Sequence, residues 1–256
     1  MTRRRRRALG SVVAAIAVAA TTLIATSKAD VLHVPTSATT STAADATTGA
    51  STRGSSWAST RAGTPAAARQ SAAALAALPV KGRAPMTTYS RAQFGQAWSD
   101  DVSVADGHNG CDQRSDVLRQ NMTDVTIKPG THGCIPATGT LADPYSGTTL
   151  HYVRGARPVV ISMDHIVALA DAWQKGAQQW SANKRRDFAG DPANLQAVSA
   201  SLNSKKRDGD IATWTPPNRA YWCTYAQRQI AVKTTYGVWV TAAEKQALQR
   251  ALSTCT

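Results

Sequence analysis

The sequence predicts an α+β fold, a single disulfide-stapled domain over residues 79–256. Three observations carry that expectation. Strand-like and helix-like segments are mixed along this stretch, and the central ones run in the order strand, insertion, strand, helix. All four cysteines fall within it. The composition also changes near Leu78, from an Ala-, Thr- and Ser-rich tract to one carrying every aromatic residue except Trp57.

Two segments precede the domain. Residues 1–29 have the layout of a secretory signal peptide: basic Arg3 to Arg7, an uncharged apolar run over residues 8–25, and Ser27-Lys28-Ala29 as a small-x-small cleavage site. The alternative is an uncleaved anchor that leaves the chain facing outside, since roughly 20 apolar residues span a bilayer. The many Ala and Thr residues of the run favour cleavage, a secreted chain and no stable membrane insertion. Residues 30–78 read as a disordered linker, too poor in apolar side chains to offset the entropy of ordering. A short helix over residues 71–78 is the one element expected there.

Within the domain, Phe94 and Trp98 stand four apart, as on a short amphipathic helix over residues 90–98. Ser115 is placed to cap a helix running to Thr123. Residues 125–127, 139–141 and 150–153 are strand pieces, with Asp143-Pro144-Tyr145-Ser146-Gly147 as a turn. Residues 158–163 are rich in β-branched side chains and stop at Asp164. Residues 167–175 have helical periodicity, and Ser181 caps a helix to Phe188. Residues 194–198 form a short strand, after which Ser199 or Ser201 caps a helix carrying Asn203 and Lys206. Residues 221–234 and 241–252 are helical, the second opening on a capping box at Thr241 and Glu244.

An even cysteine count in an exported chain suggests disulfides. Cys111, Cys134, Cys223 and Cys255 permit three pairings, and Cys111–Cys134 with Cys223–Cys255 is favoured because each closes a local segment. A four-cysteine zinc site lacks the Cys-x-x-Cys spacing it needs. Residues 1–29 hold six of the 29 basic residues and none of the 16 acidic ones, which leaves a net charge of +7 on the rest. A basic exported protein favours polyanions: nucleic acid, anionic lipid or wall polymers.

The chemistry concentrates in Asp164-His165, then Asn194, then Asn203-Ser204-Lys205-Lys206. Hydrolysing a phosphodiester requires a deprotonated water, neutralisation of the transition-state charge and a stabilised leaving oxygen. A neutral histidine serves the first and one Mg²⁺-like ion the other two. Asp164 and Asn203 offer oxygens to a hard cation. Neighbours on a strand point to opposite faces, so the strand must end or twist at Asp164 and His165. Arg154, Lys205 and Arg207 are candidate phosphate contacts, with Lys184, Arg185 and Arg186 beside them. The late tryptophans are read as core packing rather than base-stacking surfaces. The chain has no Gly-x-Ser-x-Gly and no His-Glu-x-x-His, which argues against other hydrolase classes.

This constellation resembles the HNH (ββα-metal) endonucleases. Over nearly all of residues 79–256 the chain is similar to secreted bacterial proteins with an HNH domain of the GmrSD C-terminal type. The matching stretches are Gly107 to Cys111, Asp143 to Tyr145, Met163 to Trp173, Asp191 to Leu195, Asn203 to Lys206 and Trp214 to Pro217. The resemblance implies a ββα-metal core at about residues 158–210 with added helices. It implies that Asp164 and Asn203 bind one divalent metal, Mg²⁺ or else Mn²⁺. His165 would be the general base, Asn194 would brace the loop orienting it, and Lys206 would act at the phosphate. Three positions depart from the usual pattern. Ala168 stands where many relatives have proline, Arg207 stands where glycine is expected, and Asn203 replaces a frequent histidine, which disfavours zinc. The implied activity is that of a secreted metal-dependent endonuclease on DNA, with RNA as a further substrate and little sequence preference. The alternative is a non-catalytic exported module that binds nucleic acid or cell wall.

Overall fold

The computed structural model describes residues 65–255, all within one compact unit that spans Thr52–Thr256. The signal peptide and most of the linker expected from the sequence lie outside the described residues. Helix α1 spans Pro65–Ala77, inside the stretch assigned to the linker. The boundary at residue 78 is therefore corrected: Leu75 and Leu78 are buried and pack with Ile230, Leu248 and Leu252 of the two last helices. Alanine-rich composition hides the helix because two leucines suffice to dock it.

Downstream, the 90–98 helix is a 3-10 turn over Arg91–Phe94, stopped by Gly95 at φ 81°. Helix α2 (Gln113–Asn121) starts two residues before the expected one. Asp112 caps it by accepting from the Ser115 amide at 2.9 Å, so the capping side chain is not Ser115. Strands β1 (Thr123–Ile127), β2 (Pro136–Ala142) and β3 (Thr149–Val153) form an antiparallel sheet in that order. Cys111–Cys134 ties the start of α2 to the β1–β2 connection.

The second sheet has two strands, β4 (Ile161–His165) and β5 (Leu195–Ser199), antiparallel with Asp164 opposite Gln196 and His165 opposite Leu195. The connection between them holds α3 (Leu169–Gln174) and α4 (Ala182–Gly190), the latter capped by Ser181 as expected. Helix α5 (Ala200–Lys206) leaves β5 at once and packs on both strands; neither Ser199 nor Ser201 makes the expected side-chain cap. Helices α6 (Trp222–Tyr236) and α7 (Ala242–Leu252) complete the unit, with the Thr241–Glu244 capping box formed in both directions. Cys223–Cys255 joins the start of α6 to the segment after α7.

A buried ionic network fastens these helices together. Lys175 Nζ lies 2.6 Å from Asp171, 2.8 Å from Asp210 and 2.6 Å from Glu244. Lys233 bridges Asp171 at 3.1 Å and Glu244 at 2.9 Å. Arg83 reaches Asp171 and Asp210 from the edge. Burial alone would raise the Asp171 carboxyl, yet Lys233 and Lys175 hold it at about 2. Trp173 sits in a second core with Phe94, Phe188 and Val238, as expected of a packing residue.

Candidate active site

Strand β4 ends at His165, and its last two side chains leave on opposite sides, as the strand pleat requires. Asp164 turns toward the turn before β3 and toward α5. Its Oδ2 accepts from the Tyr145 hydroxyl at 2.5 Å, and its Oδ1 accepts from Lys206 Nζ at 2.9 Å. Lys206 also donates to the His165 carbonyl at 2.7 Å, so it clasps both the carboxylate and the main chain of the pair. Both charged side chains are buried, at 4% and 2% exposure, and such a pair is costly to break. Burial, then the Asp164 charge, pushes the Tyr145 hydroxyl well above its ordinary pKa, so Tyr145 stays a donor.

His165 faces the other way, and its ring lies nearly parallel to the Trp98 indole with centroids 5.7 Å apart. Its Nε2 is 3.0 Å from the Ala189 carbonyl, which only accepts, so Nε2 carries the proton and Nδ1 keeps its lone pair. Burial, with the nearby Arg91 and Lys206 charges, lowers the ring pKa to about 3. The imidazole is therefore neutral near pH 7.

Asn194 sits at the foot of β5, fully buried. Its Oδ1 accepts from the Val167 amide at 2.8 Å, and its Nδ2 donates to the carbonyls of Val167 (3.3 Å) and Phe188 (3.2 Å). Its own carbonyl accepts from Ile166 N at 2.7 Å. These bonds fix the turn that leaves His165. Asn203, one turn before Lys206 on α5, donates through Nδ2 to Ser162 Oγ (3.0 Å) and the Met163 carbonyl (3.2 Å), leaving Oδ1 without a hydrogen bond among the described residues.

The structure thus brings Asp164, His165, Asn194, Asn203 and Lys206 around the end of one strand. Lys205 and Arg207 are exposed on the same helix end, and Arg207 takes φ 54° and ψ −125°, backbone suited to the glycine expected there. Arg154 follows β3 on the other sheet and is not part of this group. Arg185 and Arg186 are spent on the scaffold, bonding the Gln93 and Trp180 carbonyls and Asp101. Sequence reasoning gave no role to Tyr145 or Trp98. The Asp143-Pro144-Tyr145 motif was the available signal for Tyr145, whereas nothing local marks Trp98 as a neighbour of His165. Among the described residues no cluster of three His, Cys, Asp or Glu could hold a metal.

Sequence comparison relates the chain to a restriction-endonuclease type of family. Residues 112–251 match the model of GmrSD restriction endonucleases, C-terminal domain; that is more than half of the sequence, and the chain belongs to this family. It is also similar to an uncharacterized secreted protein of Arthroderma benhamiae, 35% identical over 183 residues that cover 71% of this chain and 82% of the relative. No solved structure matches.

Proposed function

We propose that the protein is a secreted, metal-dependent HNH endonuclease that hydrolyses DNA phosphodiesters, with RNA as a further substrate. The observation that carries this reading is the β4–β5–α5 unit, in which α5 delivers Asn203 and Lys206 to the strand end bearing Asp164 and His165. Membership of a restriction-endonuclease family supports the nucleic-acid substrate, and two disulfides with a secreted relative support an extracellular site of action.

His165 is the general base. Its Nδ1 takes the proton of a water, while the Ala189 carbonyl fixes the tautomer. Burial first, then the Arg91 and Lys206 charges, keeps the ring neutral, so its lone pair is free to accept. Asn194 is a positioning residue that braces the turn after the histidine. Lys206 neutralises charge, on Asp164 in the free chain and on the phosphate in the complex.

The residues fit a hard divalent cation. One carboxylate and one unspent amide oxygen, Asn203 Oδ1, form an all-oxygen donor set, and Asp164 retains lone pairs beyond those used by Tyr145 and Lys206. With few protein donors, the remaining coordination falls to water and phosphate, which suits Mg²⁺ or Mn²⁺ better than zinc. Bound there, the ion would supply charge neutralisation at the phosphoryl and leaving oxygens.

Plasmid digestion by the mature protein with Mg²⁺, Mn²⁺ or EDTA, beside His165→Ala, tests the reading. Metal-dependent cutting lost in the variant is expected; equal cutting by both proteins sinks the assignment. One observation favours a rival: Lys206 already neutralises Asp164, as it would in a non-catalytic nucleic-acid or wall-binding module. Polyanion binding without turnover under any metal would support that rival.

A further inference from the structure

The roles proposed for His165 leave one feature beside its ring unassigned. There a cavity of about 190 Å³ opens against the imidazole, walled by Arg91, Phe94, Gln96, Trp98 and Leu169. It is well below the ~300–1,000 Å³ that holds a drug-sized molecule, so it has room for one small planar ring system. Its walls are mainly apolar and aromatic, with the Gln96 amide as a hydrogen-bonding group. Arg91 borders this cavity, is exposed and makes no hydrogen bond or ion pair among the described residues.

This wall is firmly built. Arg185 Nε donates to the Gln93 carbonyl at 2.8 Å, the Arg186 stem lies under Gly95, and Arg186 closes on Asp101 at 2.7 Å. Trp98 is held at φ 60°, a backbone angle a bulky side chain rarely takes, while its carbonyl accepts from Gln113 N at 3.3 Å. Residues 91–98 precede the 112–251 stretch matched by the family model, whereas Leu169 lies within it.

An aromatic-lined slot for one planar ring, with an unpaired guanidinium beside it and a water-activating base at its edge, has the chemistry of a nucleotide site. A base stacked and paired within a duplex cannot enter such a slot without being extruded, at a cost that is least for unpaired strands. We propose that this cavity holds one unpaired nucleobase of the strand being cut, with Arg91 on a phosphate of the same nucleotide. The inference rests on the nuclease reading and adds a substrate class: single-stranded or locally unpaired nucleic acid.

The test uses the mature protein and a labelled oligonucleotide of about 12 nucleotides, single-stranded or annealed to its complement. Binding is followed by fluorescence anisotropy in EDTA, and cutting by steady-state kinetics in Mg²⁺. Arg91→Ala removes the guanidinium, Arg91→Lys keeps a charge, and Ala97→Trp fills the cavity from an exposed position on its rim. The expected result is at least tenfold tighter single-strand binding by the wild type. Arg91→Ala and Ala97→Trp each erase that preference, raising single-strand KM more than they lower kcat, and Arg91→Lys restores part of it. Equal affinity for the two substrates in the wild type, or single-strand binding unmoved by both variants, overturns the proposal. Cutting without strand preference sinks the subsite alone. A strand preference that Ala97→Trp abolishes, with no cutting in any metal, sinks the nuclease reading and leaves the subsite standing.

Discussion

Replacing Lys206 by methionine removes the cation from a buried pair and leaves the stem volume nearly unchanged. Asp164 would then keep the Tyr145 hydroxyl as its side-chain partner, at 4% exposure, and the His165 carbonyl would lose its 2.7 Å donor. Stripping one partner from a buried ion pair costs about 3–5 kcal/mol. For a unit of this size each kcal/mol moves Tm by about 2–4 °C, so a fall of about 8–16 °C is expected for a loss near 4 kcal/mol. A cation at Asp164 would compensate. In EDTA the variant should melt well below wild type, and millimolar Mg²⁺ should raise its Tm by several degrees more than it raises that of wild type, where Lys206 competes for the same carboxylate. Differential scanning fluorimetry with Mg²⁺, Mn²⁺ and Ca²⁺ reads both effects. A variant as stable as wild type in EDTA would show that the pair contributes nothing. A normal destabilisation with no metal response would remove Asp164 from the list of metal ligands while leaving the structural argument intact.

Three further outcomes follow from the geometry. Asn194→Ala strands the Val167 amide and two buried carbonyls, each worth about 1–3 kcal/mol, so urea unfolding should show a loss of at least about 3 kcal/mol together with loss of cutting; a loss under about 1 kcal/mol contradicts the brace. Asp171, held at about 2 against an unfolded value near 3.8, contributes about 2 kcal/mol that is present above pH 4 and lost as pH falls through 2; Asp171→Asn should flatten that acid limb in denaturant titrations between pH 5 and 2, at a lower overall stability. Arg207→Gly relieves a positive-φ backbone and should raise stability by about 1 kcal/mol in thermal melts while weakening nucleic-acid binding and flattening its salt dependence; a drop in stability would show that the arginine side chain outweighs its backbone strain.

What the sequence revealed follows the range of the interactions. Ser181 as a cap and the Thr241–Glu244 box are set within four residues and are legible from spacing, whereas the strand read over residues 158–163 runs over Ile161–His165. The Lys206 clasp on Asp164 spans 42 positions and was approached only through a family pattern. The ionic network had no signal at all. Asp171 and Lys175 are an i,i+4 pair on a short helix, and only the arrival of Asp210, Glu244 and Lys233 from distant segments buries them. Trp98 was legible as an apolar residue and not as the ring on His165, because its placement depends on Gly95 breaking the helix that the Phe94–Trp98 spacing suggested.

The distribution of paired charge bears on the basic balance of the chain. Four of the buried acids, Asp164, Asp171, Asp210 and Glu244, are matched by Lys206, Lys175, Lys233 and the partly buried Arg83. Those eight residues cancel, so the surplus of positive charge lies elsewhere in the chain. Near the site it includes Arg91 on one side and Lys205 and Arg207 on the other, all exposed. Exposed cations of this kind neutralise phosphates with release of counterions, whereas the buried set cannot. On the proposed function, a polyanion would gain affinity from the rim without disturbing the network that holds α3, α6 and α7 together. The buried cation that the proposed reaction would recruit is Lys206, whose ammonium donates to the Asp164 carboxylate and the His165 carbonyl.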